Sequence, residues 1–257
     1  MRPRVRSVLV ALGVVAVLVW SVRGIDLDLG ALRGGNRGLL RLLQGLAHPD
    51  LSPQWLAVVA SALVETIQIA VVGLALAAVV AAPLGLLLAA TVGAPAWARE
   101  AARLLAAFLR GVPDLLWALL LVAALGPGPA AGALAIGIHG AGALAKLWAE
   151  QLEAVDPGPV EALTLTGASK PAVAALAVVP LARSSVAALL LYQAECNIRT
   201  STVLGFVGAG GIGQELAISL KLFRYEQLAT LVLAVLGLML LTDLVSRRVR
   251  SRLGART

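Results

Sequence analysis

The sequence predicts an all-α polytopic membrane protein with six transmembrane helices, and three observations carry that prediction. Of 257 residues, 60% are hydrophobic and 14% are charged, against roughly 25% charged in an average soluble domain. Apolar runs recur that are too long and too numerous for a soluble core, since a bilayer crossing takes about 20 apolar residues. Finally, Arg2, Arg4 and Arg6 precede the first run, and Arg247, Arg248, Arg250, Arg252 and Arg256 follow the last, where cytoplasmic anchoring charge belongs. These arginines account for much of the net charge of +7. No aromatic residues interleave them as a single-strand binder requires, so nucleic acid is not the expected partner. Cys196 is the sole cysteine, and His48 and His139 are far apart in sequence, so neither a disulfide nor a metal site is expected. Nothing calls for a cofactor.

The elements follow in order. Val5 to Val22 is apolar behind a basic start, the outline of a signal peptide, but the exit Trp20-Ser21-Val22-Arg23 offers no small-x-small cleavage signal. A retained first helix with a cytoplasmic N-terminus is expected. Gly24 to Pro53 is polar and broken by Gly34, Gly35, Pro49 and Pro53, an external loop with a short helix near Leu39 to Leu46. Arg33, Arg37 and Arg41 recur there every four residues, a basic stripe on one helical face. The chain thus divides into 1–55, the first helix and loop, and 56–257, which holds five further spans.

Leu56 to Ala90 exceeds one crossing, so the helix is tilted or projects from the hydrocarbon. Glu65, Thr66 and Gln68 cannot face lipid comfortably and point into the bundle, either as interhelical hydrogen-bonding groups or along a solute path. A third span over 104–125 is interrupted by Arg110-Gly111-Val112-Pro113-Asp114. Proline there frees a carbonyl that neighbours must satisfy. Arg110 and Asp114, four apart, fit an intrahelical ion pair more readily than a solute contact. Gly126-Pro127-Gly128-Pro129 is an outside turn. The fourth span, Ala130 to Ala149, carries Gly132, Gly137, Gly140 and Gly142, which allow close helix approach. An inside loop over 152–180 contains a short helix, Val160 to Thr166, ended by Gly167. The fifth span, Leu181 to Gly205, is followed by an outside segment, Leu216 to Tyr225. The sixth, Gln227 to Val245, returns the tail inside.

Two motifs carry the function. In the inside loop, Glu161-Ala162 is followed by Gly167 after six residues and by Pro180 thirteen further on. This resembles the EAA loop of ABC import permeases, with Leu163, Ala177 and Val179 departing from the family's residues while the spacing holds. The resemblance implies a coupling helix that sits in a groove of an ATPase subunit. The second motif is Asn197-Ile198-Arg199-Thr200-Ser201-Thr202-Val203-Leu204-Gly205, running into Val207-Gly208-Ala209-Gly210-Gly211-Ile212-Gly213. With Gly142-Ala143-Leu144-Ala145-Lys146 and Glu150, it closely resembles the permease of phosphonate and phosphate-analogue ABC importers, over roughly the last 200 residues. Methionine-importer permeases have a similar Ser-Thr and glycine-rich stretch but generally lack the Asn-Ile-Arg lead-in. A permease for methionine or another small organic nutrient is therefore the alternative.

Gly208, Gly210 and Gly213 also match G-x-G-x-x-G, but they follow a membrane span rather than a strand. No Walker lysine is present either, so the chain is not expected to bind ATP itself. They read, with Gly205 and Gly211, as a hinge and packing segment at the outer mouth. Along the solute path, Arg199 offers a planar fork for two phosphoryl oxygens, and Asn197, Thr200, Ser201 and Thr202 add neutral donors. Glu65 and Gln68 belong to the same expected path. Pairing of Arg199 with Glu195, four residues earlier, is an equally good and compatible reading.

The resemblance implies a type I ABC importer permease fold (MetI-like) in the bacterial cytoplasmic membrane, with both termini cytoplasmic. It implies two ATP-binding subunits inside and a phosphonate- or phosphate-binding protein outside. A second permease subunit, identical or paralogous, completes the assembly in the lipid. Neither paired carboxylates nor a His-Ser arrangement marks one membrane face, so covalent catalysis is not expected.

Overall fold

The computed structural model describes residues 3–24 and 36–252, and their regular structure is helical throughout. Arg2, Arg33 and Arg256 lie outside the described residues, as do the side chains of Arg37 and Arg41, so the basic stripe is not described. The chain divides into two compact units, Met1–Ala47 and His48–Thr257. The first contains α1 (Pro3–Gly24) and α2 (Asn36–Ala47). Both helices fall where the sequence placed them.

The second unit is a bundle of α3 (Pro53–Leu88), α4 (Ala96–Gly111), α5 (Asp114–Leu125), α6 (Pro129–Glu153), α7 (Pro157–Leu165), α8 (Lys170–Val207), α9 (Gly211–Lys221) and α10 (Tyr225–Arg252). Four of these, α3, α6, α8 and α10, are long and apolar enough to cross a membrane, and α4 with α5 makes a fifth crossing if the bent pair is one span. The sixth expected crossing is α1, whose described apolar portion, Ala11–Gly24, is shorter. The 36 residues of α3 extend about 54 Å at 1.5 Å each, well beyond a hydrocarbon core of about 30 Å.

At the centre stands α6, with α3, α4, α5 and α8 packed around it. Its small residues permit this. A Cβ added at Gly142 would lie 2.6 Å from the Ala106 carbonyl oxygen of α4, so only glycine allows that approach. The core then fills in layers. Ile69, Ala133, Ile136 and Leu204 pack at the α9 end, and Ala77, Ala81, Leu84, Ala102, Ala106 and Leu144 lie deeper. Ala89, Ala149, Leu152, Val178 and Ala182 close the α7 end.

Three expectations need correction. The third span breaks where the interruption was expected, but into two helices, α4 and α5, that meet at 82° rather than sharing one face. Val112 is forced extended by the following proline (ψ 123°), as the ring of Pro113 demands. Arg110 and Asp114 thereby fall on different helices, and no ion pair joins them among the described residues. The carbonyls at this break are met from nearby, as expected. Trp117 Nε1 donates to the Leu109 oxygen at 3.2 Å, and His139 Nδ1 lies 3.1 Å from the Val112 oxygen. His139 is thus structural, with Nδ1 as the protonated nitrogen.

The fifth span begins at Lys170 rather than Leu181, because a π-helical turn at Ala174–Val178 carries the helix into Pro180. Pro180 has no N–H for the Leu176 carbonyl, and widening the turn just before it accommodates the defect. The inside loop therefore shrinks to 154–169. The outside segment after the glycines is the helix α9. Its Ile212 and Leu216 bury against Val59, Ala62, Leu231 and Val235, a four-residue spacing that places both on one face.

Candidate functional site

The site has three parts: an exposed helix at one end, a polar helix through the middle and a glycine knot at the other end. The exposed helix is α7. Asp156 accepts the Gly158 N–H through Oδ1 at 3.0 Å, which starts the helix, as N-cap carboxylates do. Gly167 ends it with φ 83°, its N–H on the Thr164 oxygen at 3.0 Å, a conformation that disfavours other residues. No residue of α7 is buried. Val160 alone packs back onto the cluster of Leu152 and Val178. Glu161 and Ala162 are exposed and Leu165 is 88% exposed. The structure therefore brings Glu161, Ala162 and Gly167 together on a projecting helix, and places Pro180 separately, at the foot of α8.

The polar helix is α8, and its expected path residues divide between two faces. Asn197 is 1% exposed; its Nδ2 donates to the Ala70 oxygen of α3 at 3.3 Å, and its Oδ1 accepts from Gln193 Nε2 at 2.9 Å. Ser201 and Thr202 are buried, and both hydroxyls donate to the Ile198 carbonyl oxygen. Arg199 points the other way. It is exposed, on the face that also exposes Tyr192, Val203 and Phe206, and it makes no ion pair among the described residues. Thr200 is half-buried beside it. A shared fork of donors with Arg199 is thus not formed by Asn197, Ser201 and Thr202. Asn197 bonds to a neighbouring helix, and the Ser201 and Thr202 hydroxyls are satisfied within α8 itself.

The pairing of Arg199 with Glu195 is also corrected. Glu195 Oε1 lies 2.9 Å from Arg250 of α10, a close approach of charges without hydrogen-bond geometry, since the same oxygen has no hydrogen-bond partner. Arg250 read in the sequence only as tail charge, and nothing local signals a partner 55 positions earlier. The Gln193–Asn197 bond, by contrast, joins residues four apart and was legible.

At the far end, α8 turns into α9 through the glycines. Gly205 and Gly213 stack so closely that a Cβ on Gly213 would sit 1.9 Å from the Thr202 carbonyl oxygen. Gly208, Gly210 and Gly211 all have positive φ. From α3, Glu65 Oε1 accepts the Gly211 N–H at 3.2 Å and Thr66 Oγ1 accepts the Ile212 N–H at 2.8 Å. These two side chains satisfy the open amides at the start of α9, where negative charge is favoured. Glu65 therefore serves an interhelical bond, while Gln68 is exposed on α3, apart from it.

Comparison with known proteins places this architecture. PtxC of Stutzerimonas stutzeri, a phosphite transport system permease protein, is 35% identical over 93% of this chain and 86% of its own. PhnE of Mycolicibacterium smegmatis, a phosphate-import permease protein, is 36% identical over 90% of this chain and 43% of its own. Among solved structures, a chain of the MetNI methionine ABC transporter in an inward-facing form superposes with TM-score 0.70 at 19% identity. That match covers 79% of this chain and 99% of the other, and at such low identity it speaks for the fold alone. Residues 81–256 match the family described as binding-protein-dependent transport system inner membrane component, and the chain belongs to that family.

Proposed function

We propose that the chain is the permease subunit of an ATP-driven importer for phosphite, phosphonate or phosphate, working by alternating access. The single observation that carries the solute class is Arg199. It is a cation on the exposed face of α8, without a counter-ion among the described residues, flanked by the half-buried Thr200. An arginine within a membrane span costs roughly 3 kcal/mol unless it meets protein, water or a charged ligand. The names carried by PtxC and PhnE support the same class of solute.

The division of α8 gives the path its mechanics. Asn197 ties the helix to the Ala70 carbonyl of α3, which lets Arg199 present two N–H groups to a passing oxyanion without moving the backbone. One guanidinium is a weak enough site for release, and transport needs that release. Glu65 and the glycines Gly205, Gly208, Gly210, Gly211 and Gly213 form the hinge at the outer mouth, with Gln68 beside the path.

At the other end, α7 is the knob gripped by ATP-binding subunits. Its exposed Leu165 and Glu161 meet the partner, and Gly167 allows it to swivel. The assembly contains two such subunits, an external oxyanion-binding protein and a second permease, with both termini of this chain cytoplasmic. Hydrolysis occurs on the partners and this chain performs no covalent step.

The test is uptake by the reconstituted system. Phosphite, methylphosphonate or phosphate should compete with one another for uptake, and methionine should not. Uptake of methionine unaffected by any of the three would overturn the solute class.

A further inference from the structure

Arg199 makes no ion pair among the described residues, although the sequence puts a carboxylate one helical turn before it. Glu195 and Arg199 are four residues apart on α8, so their Cβ atoms lie about 5–6 Å apart, with the acid on the favourable N-terminal side. The carboxylate is held elsewhere: Glu195 Oε1 lies 2.9 Å from the Arg250 guanidinium of α10. Arg199 stays open because its nearest acid is withheld.

The hold itself is incomplete. Glu195 Oε1 is buried and receives no hydrogen bond among the described residues. One turn before Arg250 on α10, Ser246 is 4% exposed and its Oγ has no partner either. Buried polar atoms left open cost about 1–3 kcal/mol each, so charge proximity rather than closed hydrogen bonding holds Arg250 to α8.

A carboxylate inside a span needs a cation, since a buried charge that loses its partner costs about 3–5 kcal/mol. The side chains of Glu195 and Arg250 are only 18% and 22% exposed, so a Glu195 released from Arg250 has to pair again. Arg199 is the one cation within a turn of it on α8. The guanidinium fork takes either that carboxylate or a solute oxyanion, because both present two anionic oxygens to the same donors.

We propose that Glu195 is a movable counter-ion that regulates Arg199. In this structure Arg250 holds it, and Arg199 is open to an oxyanion. When α10 draws away from α8, Glu195 turns onto Arg199 by side-chain rotation and displaces the oxyanion. Release, which transport requires, is thereby built into the helix that binds. Arg250 is a positioning residue that acts through Glu195, and oxyanion binding and the Glu195–Arg250 pair stabilise each other. The switch rests on the reading of Arg199 as a solute contact.

The experiment is equilibrium binding of radiolabelled inorganic phosphate to the complete transporter in lipid nanodiscs, with uptake measured in parallel. Arg199→Gln sets the background. Arg250→Gln frees Glu195 and should weaken phosphate binding about fivefold or more, the low end of couplings between linked sites. Glu195→Gln removes the competitor and should tighten binding by a similar factor while slowing uptake, since release then lacks its trigger. The double variant should bind as tightly as Glu195→Gln alone. A fixed tie between α8 and α10 predicts that the two single variants act alike, and effects of the same sign overturn the switch. If Arg250→Gln does not assemble, Glu195→Gln decides alone, and unchanged or weaker binding overturns the switch. Phosphate binding that Arg199→Gln leaves intact overturns the solute reading of Arg199 and the switch with it. Binding that Arg199→Gln abolishes, but that both other variants weaken, overturns the switch only.

Discussion

At the scale of single residues, steric contact and charge decide the outcome. Gly213 has no room for a methyl group beside the Thr202 carbonyl, so Gly213→Ala must push α8 and α9 apart. It should lower stability by about 1–3 kcal/mol, the usual cost of overpacking, as read by unfolding in detergent. Arg199→Gln keeps size and hydrogen bonding but removes charge. Uptake should fall roughly tenfold or more, since charge-assisted bonds are about twice as strong as neutral ones, while ATPase subunits still assemble. Equal uptake would reduce Arg199 to a structural group. The arginine was legible in the sequence because a lone cation in a span is costly and needs a reason. The orientation of its neighbours was not. Asn197 shares its segment but turns inward, and the Ala70 carbonyl, 127 positions away, explains why. Glu195 likewise found its cation in Arg250, through a crossing of α8 and α10 that no local spacing encodes.

At the scale of elements, α7 and the entry to α3 make separate predictions. Gly167 holds φ 83° at the end of α7, a conformation that costs other residues about 1–3 kcal/mol. Gly167→Val should therefore disorder the knob and uncouple ATP hydrolysis from uptake. Normal coupling in that variant would count against α7 as the docking element. Ahead of α3, the Asp50 carbonyl accepts from Thr230 at 2.7 Å and the Asp50 N–H donates to the Glu226 oxygen at 3.1 Å. Its carboxyl is held below the ordinary value of 3.8 chiefly by the Ser52 N–H it accepts. A lowered pKa stabilises the fold above the ordinary value, and that contribution fades as pH falls through the lowered one. The stability gap between the protein and Asp50→Ala should thus shrink below pH 3.8, as measured by unfolding between about pH 3 and pH 7. The helices themselves were legible from apolar length, and α7 from its prolines and Gly167. The bend at Pro113 was legible as a break but not as an angle, because the 82° depends on Trp117 and His139 meeting the freed carbonyls. The helix α9 was hidden because its short apolar stripe follows a glycine run that reads as loop.

At the scale of the whole molecule, small residues on α6 set the spacing of the bundle, α8 presents Arg199 outward from it, and α7 projects unburied from its end. The helix buries none of its residues, and Leu165 on it is 88% exposed, which leaves its surface open to a partner. That arrangement is what the proposed conduit, moved by attached ATP-binding subunits, requires. The most direct measurement is cysteine cross-linking from Ala162→Cys in the full transporter assembled in lipid, read together with ATP-driven oxyanion uptake. Cross-links should form from α7 to an ATP-binding subunit, and locking them should stop uptake. If Ala162→Cys remains freely reactive in the assembled, transporting complex, α7 is not the point of drive.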